Sequence, residues 1–173
     1  LQDVLFMGVH SFGGLGASMK GMAVGRKQGS AQWHIYEFNN DGLSNGDRAR
    51  CSGYYTFMPS AGDEDSWQFA SSCYFNNIFF YASGNKIYRW YYNTATSFPT
   101  EPWRTLDDLE GAEITSLAVS PDNQQLYVGV YQPQASGLNG SFYLLNCNTG
   151  KNEGDSPYLN VAYKPLKVVY KPR

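Results

Sequence analysis

Residues 114–131 of the 173-residue chain read ITSLAVSPDNQQLYVGVY and predict two strands joined by a tight turn. Residues 116–119 are small or apolar. The next four, Ser120-Pro121-Asp122-Asn123, favour a turn, because Pro fixes φ and Asp or Asn side chains bond back to nearby backbone. Residues 125–131 then alternate polar with aromatic or β-branched side chains, as a half-buried strand does. The stretch therefore predicts an antiparallel hairpin.

The same pattern recurs twice upstream of this hairpin. Three strands carry the related sequences IYEF, IYRW and FYLL, and their tyrosines, Tyr36, Tyr88 and Tyr143, lie 52 and 55 residues apart. A short strand precedes each of them, at 22–25, 79–82 and 126–129, and an apolar strand comes before that, at 5–9, 67–71 and 114–119. Four antiparallel strands at a period of roughly 40–55 residues are typical of a propeller blade.

The predicted fold is all-β and β-propeller-like, with about three to four four-stranded antiparallel blades. We expect one domain, with blades at residues 1–58, 59–106 and 107–163 and a terminal strand at 164–173. Because propellers normally close with about four to eight blades, three blades predict that the chain is part of a larger propeller. A β-sandwich built from the same hairpins is the structural alternative.

The composition agrees with an all-β chain and narrows the function classes. Aromatic residues make up 16% and charged residues only 16%, with 14 Tyr and 18 Gly, which fits strands and turns better than a helix bundle. A net charge of −2 gives no basic footprint for nucleic acid. No apolar run approaches the roughly 20 residues of a membrane helix, so this segment is not expected to insert into a membrane.

Three cysteines are too few for a disulfide scaffold, and their spacing is not that of a metal site. Cys51, Cys73 and Cys147 are interpreted as small apolar residues. The alternative is a Cys51–Cys73 bridge between neighbouring strands, which would imply export. We expect no metal and no cofactor.

The segment at residues 118–151, AVSPDNQQLYVGVY…GSFYLLNCNTGK, resembles the YVTN-type and WD40-like propeller repeat, xxVSPDGxxLYVxN…xVxVIDxxTGK. The matching positions are Ser120-Pro121-Asp122, Leu126-Tyr127-Val128 and Asn148-Thr149-Gly150-Lys151. This repeat implies a blade and no particular activity, since propellers include enzymes and binding proteins alike.

Residues 86–173, from KIYRWYYNT through SGLNGSFYLLNCNTG to KVVYKPR, are similar to the C-terminal half of the PKD-like lipoproteins of Bacteroidetes. That resemblance implies an exported protein at the cell surface, outer membrane or periplasm, associated with glycan or nutrient capture. Its lipid anchor would be attached in an N-terminal part that this sequence lacks.

The candidates for ligand binding are aromatic and polar residues in loops. Trp103 lies in a Pro-flanked segment, and Tyr131 precedes a polar loop that contains Gln132, Gln134 and Asn139, whose amides suit sugar hydroxyls. The other candidates are carboxylates in two acidic stretches that precede predicted inner strands: Asp63, Asp65, Asp107 and Glu110.

No catalytic motif is present, so no catalytic residue is assigned. The sequence has neither a G-x-S-x-G nor an H-E-x-x-H pattern. We therefore expect a non-enzymatic, exported module that binds a glycan. A protein–protein interaction scaffold is the first alternative, and a glycoside-active enzyme that uses the loop carboxylates is the second.

Overall fold

A computed structural model describes residues 3–11, 19–39, 50–56, 64–71, 78–91, 98–107, 111–154, 157 and 159–167. These residues form β-strands, loops and one short 3-10 helix, Glu64–Ser66. The all-β class predicted from the strand patterns is confirmed.

The strands follow one another along the chain in three groups of four. They are β1 (Asp3–Ser11), β2 (Met19–Arg26), β3 (Trp33–Asn39), β4 (Arg50–Thr56), β5 (Gln68–Ser71), β6 (Ile78–Ser83), β7 (Lys86–Tyr91), β8 (Arg104–Thr105), β9 (Glu113–Val119), β10 (Gln125–Tyr131), β11 (Gly140–Asn146) and β12 (Leu159–Val161). The first sheet has the order β1-β2-β3-β4, the second β5-β6-β7-β8 and the third β9-β10-β11-β12, and all neighbours are antiparallel. Three antiparallel sheets of sequential strands are the arrangement that the repeat predicts.

The hairpin at residues 114–131 forms as expected. Leu126 pairs with Val119 and Val128 with Leu117, so these side chains share one face of the third sheet and are buried there. A register shift between Gly129 and Val130 marks a β-bulge in β9 opposite Gly129.

The second sheet lies between the other two and is buried on both faces. Phe79 and Tyr81 of β6 pack into a cluster with the first sheet, whereas the alternate residue Phe80 packs into a cluster with the third. This explains why β6 is a continuous apolar run, buried from residue 78 to residue 82. Each of these large side chains contributes roughly 1.5–3 kcal/mol of transfer free energy when fully buried.

The first strands of the three sheets are neighbours, because β5 contacts both β1 and β9. The sheets form an open stack in the described part of the chain, and no closed propeller is seen there. A two-sheet sandwich, the structural alternative, does not fit this arrangement, because the middle sheet is covered on both faces.

The predicted terminal strand at 164–173 is not seen where the structure describes it. Residues 164–167 have no strand structure, and residues 168–173 lie outside the described part. Pro165 supplies no backbone N–H for a ladder, and it packs over the face of the third sheet at Gly129.

Candidate functional site

The loops of the third sheet gather at its two ends. One end, called here the Asp122 end, carries the turn at residues 120–124 and the turn at 147–150. The other, the Tyr131 end, carries the start of β9, the loop at 132–139 and the segment after β12. Because β11 has seven residues, the two ends lie about 20 Å apart at the usual strand rise of about 3.4 Å per residue.

At the Asp122 end, the Ser and Asp side chains of the Ser-Pro-Asp motif form hydrogen bonds within their own turn. The Ser120 hydroxyl donates to Asp122 Oδ1 and accepts from the Gln125 amide N–H at 2.9 Å. Hydrogen bonds from Ser120 and from the Gln124 backbone N–H lower the pKa of Asp122. Asn123 has a φ of 58°, which Asn adopts more easily than most residues. The motif is therefore structural here.

Trp103 is held between the second and third sheets near the Asp122 end. Arg89 of β7 lies 4.9 Å from the centroid of the Trp103 ring and 4.9 Å from that of Tyr91. The same guanidinium donates from Nη1 to the backbone carbonyls of Cys147, at 2.5 Å, and Asn148, at 2.8 Å.

The indole of Trp103 also contacts other parts of both sheets. A Cβ on Gly150 would lie 3.3 Å from it, and its centroid is 5.4 Å from that of Phe80. Trp103 is half-buried as a result, and it stabilises the contact between the sheets.

Tyr131 lies at the opposite end, beside an ion pair between Glu113 and Lys164. It is paired with Glu113 of β9 and Gly140 of β11. The Lys164 ammonium lies 5.2 Å from the Tyr131 ring centroid and 2.8 Å from the Glu113 carboxylate. The side chains of the ion pair are about half exposed, 47% for Lys164 and 52% for Glu113, so water screens the pair and it adds little stability.

Lys164 reaches Tyr131 because the segment after β12, residues 162–166, crosses the third sheet as a strap. A Cβ on Gly140 would overlap the Tyr163 carbonyl oxygen. A Cβ on Gly129 would lie 3.3 Å from Pro165 Cβ and 2.5 Å from Ser116 Oγ. Glycine at these two positions lets the strap approach the sheet closely.

Polar atoms without hydrogen-bond partners lie near the same end. They are Thr115 Oγ1 and Ser116 Oγ, both buried at the bulge, and Asn139 Oδ1 in the loop. Buried polar groups in native proteins are nearly always satisfied. All three atoms are buried, so they lie below the surface of this end and do not by themselves form a ligand contact.

The loop at 132–139 is closed at its base and exposed along its length. The Gln132 N–H donates to the Asn139 carbonyl at 2.7 Å, and Gln132 and Asn139 are half-buried. Gln134 is exposed, and Leu138 is 56% exposed. Tyr131, Gln132, Gln134 and Asn139 are thus brought to one end of the sheet, as the sequence predicts, whereas Trp103 is not.

The acidic candidates are described only in part. Asp63 and Glu110 lie outside the described residues, as does the side chain of Asp65, while Asp107 is exposed. The Cys51–Cys73 alternative also lies outside, since Cys73 and the side chain of Cys51 are not described.

Two residues of the Tyr131 end are not predicted from the sequence. Glu113 directly precedes the hairpin at residues 114–131, and its register opposite Tyr131 is the signal that points to it. Lys164 falls in the predicted terminal strand, and only the path of the strap brings it to Tyr131.

Among the residues that the structure describes, no group of three or more His, Cys, Asp or Glu side chains is placed to hold a metal ion. Within the same residues, no helix has the length and apolarity to cross a membrane. No protein-family model and no curated protein matches the chain, so the comparisons identify no family.

Proposed function

We propose that this protein is a non-enzymatic, exported binding module that recognises a polyhydroxylated ligand, a glycan, at the Tyr131 end of the third sheet. The observation that carries the proposal is the cluster of Tyr131, Glu113 and Lys164 beside the polar loop at 132–139. Its export and its place at the cell surface rest on the resemblance to PKD-like lipoproteins.

A propeller-like architecture is part of this proposal. Sequential four-stranded sheets that stack face to face, with their first strands as neighbours, support it. In such an architecture, the loops between second and third strands and those before first strands emerge on one side. The loop at 132–139 and the start of β9 belong to these two classes.

Glycan recognition needs hydrogen-bond donors and acceptors around an aromatic surface. Glu113 supplies acceptors, Lys164 supplies donors, and the amides of Gln132, Gln134 and Asn139 supply both. Tyr131 is half-buried, so part of its surface remains accessible to the apolar face of a sugar ring.

A second candidate function is that of a protein-interaction scaffold. Three large apolar side chains around the end of the third sheet favour it: Leu159 is 51% exposed, and Tyr163 and Leu166 are each 82% exposed. Apolar side chains grouped on one part of a surface are typical of protein contacts.

The test is calorimetric titration of the protein with plant, mucin and microbial oligosaccharides, with product release followed in the same samples. We expect saturable binding without product, weakened at least tenfold by Tyr131→Ala. Trp103→Phe, at the other end of the sheet, is the control and should bind as the wild type does.

Two results would contradict this assignment. Release of sugar would overturn the non-enzymatic assignment and favour the glycoside-active alternative, with Asp63, Asp65, Asp107 and Glu110 as the first residues to replace. The absence of binding to every oligosaccharide would overturn the glycan assignment and favour the scaffold.

A further inference from the structure

The strap at residues 162–166 covers two hydroxyl groups of the third sheet. Thr115 and Ser116 lie at the bulge of β9 and are 8% and 5% exposed. A Cβ built on Gly129 would lie 3.2 Å from Thr115 Oγ1 and 2.5 Å from Ser116 Oγ. The same Cβ would lie 3.3 Å from Pro165 Cβ. The two hydroxyls and Pro165 therefore meet over Gly129, with the strap on the outside.

The closed strap leaves these hydroxyls without partners. Among the described residues, neither Thr115 Oγ1 nor Ser116 Oγ forms a hydrogen bond. Pro165 has no backbone N–H to donate, and its ring is apolar. Because a buried polar group without a partner destabilises the state that contains it, the closed position of the strap is unfavourable for both side chains. A group that can donate and accept hydrogen bonds at this point would remove that cost.

The strap itself has few buried contacts. Pro165 is buried, whereas the other four residues of the strap are exposed: Ala162, Tyr163, Lys164 and Leu166. In the described part of the chain, no backbone hydrogen bond joins residues 162–166 to the sheet. The ion pair of Lys164 with Glu113 is about half exposed, so water screens it. Segments of this kind open locally at a lower free energy than the whole domain unfolds.

The covered hydroxyls lie beside the aromatic ring of the binding site proposed above. Gly129 and Tyr131 are two residues apart on β10, so they face the same side of the sheet, about 7 Å apart at the usual strand rise. Opening of the strap would join the surface over Gly129 to the ring of Tyr131. It would also release Lys164 from Glu113, so that both charged groups become available to a ligand.

We propose that the strap is a lid, and that a hydroxyl-rich ligand displaces Pro165 from Gly129 and forms hydrogen bonds with the hydroxyls of Thr115 and Ser116. The inference rests on the proposed function, since the ligand is the glycan that binds at Tyr131. It adds a second part to that site, which is closed in the free protein and open in the complex.

Labelling of a thiol placed under the strap tests the opening. Each labelling rate with iodoacetamide is divided by the rate of the same thiol in urea, and peptide mass spectrometry assigns the site. The thiol introduced by Ser116→Cys should react at least tenfold faster on this scale than native Cys147, which is fully buried in the core. Saturation with the most tightly bound of the plant, mucin and microbial oligosaccharides should slow the reaction.

Ser141→Cys is the matched control for this labelling. Ser141 is also 5% exposed, but it pairs with Val130, whose side chain lies in the cluster between the second and third sheets. The thiol introduced there should be as protected as Cys147. Equal protection in Ser116→Cys and Ser141→Cys would show that the strap does not open by itself, and it would overturn the proposal.

Calorimetric titration of alanine variants with the same oligosaccharides tests the contact. Ser116→Ala should weaken binding at least fivefold, and Ser141→Ala should leave it unchanged, while circular dichroism checks that both fold. Binding by the wild type with equal affinity in Ser116→Ala would mean that an ordered water serves the hydroxyls, and it would overturn this inference while the binding site at Tyr131 stands. The absence of binding to every oligosaccharide would overturn both.

Discussion

Replacing Arg89 should measure how much its side chain contributes to the packing of the second sheet against the third. Its guanidinium lies against Tyr91 and Trp103, and it donates to the carbonyls of Cys147 and Asn148. Hydrogen bonds from a charged group contribute about 1.5–3 kcal/mol. Asn148 is exposed, so in the variant water can take over most of the hydrogen bonding to its carbonyl. Each partly exposed cation–π contact contributes roughly 0.5–1 kcal/mol.

The expected loss for Arg89→Ala is therefore about 2.5–5 kcal/mol in the free energy of unfolding, from the bond to Cys147 and the two cation–π contacts. Arg89→Lys should recover about half of it, because an ammonium keeps the charge but lacks the planar fork that reaches two carbonyls. Urea denaturation followed by circular dichroism measures both values, and the slope with urea should not change.

Lys86→Ala is the control on the same strand. Lys86 is exposed, so its replacement should change stability by less than about 0.5 kcal/mol. A loss for Arg89→Ala no larger than that for Lys86→Ala would contradict the contribution assigned to the guanidinium, and so would full recovery by lysine.

Three further predictions follow from buried or crowded positions. Leu126→Ala should cost about 2–5 kcal/mol of unfolding free energy in urea denaturation, since Leu126 is fully buried, and Leu138→Ala should cost almost nothing; similar losses for the two would contradict the assigned core. Burial raises the pKa of the Cys147 thiol from 9.0 to about 12, so its contribution to stability is complete below pH 9 and is lost as pH rises from 9 toward 12. The midpoint of thermal unfolding should fall less steeply with pH over that range in Cys147→Ala than in the wild type, and identical slopes would contradict a raised pKa for Cys147. Gly140→Ala should displace the strap at Tyr163 and destabilise the protein by about 1–3 kcal/mol, with faster hydrogen exchange in residues 161–166; unchanged exchange there would show that the strap does not lie on Gly140.

The strands were predictable because period-2 patterns and turn residues are local signals. The hairpin at 114–131 has both, and its strands lie where the pattern places them, within one residue at the start of β9. The repeat of Tyr36, Tyr88 and Tyr143 was also informative, because each sheet is built from consecutive strands and needs no long-range pairing.

The candidate site was only partly predictable because it depends on contacts between distant segments. Trp103 looked like a loop residue, and nothing near it in the sequence shows that Arg89 stacks on it. Lys164 lies 51 residues from its partner Glu113, and its position depends on where the strap crosses the sheet. The Tyr131 loop was found because its polar residues are contiguous.

Amide chemical-shift mapping of the protein with the oligosaccharide that it binds most tightly locates the ligand directly. We expect the shifted amides to cluster in residues 111–116, 129–141 and 161–166, around Tyr131, and the amides of residues 86–91 and 147–151, around Arg89 and Trp103, to remain unshifted. Shifts centred on the latter group would place recognition at the Asp122 end and contradict a binding site at Tyr131.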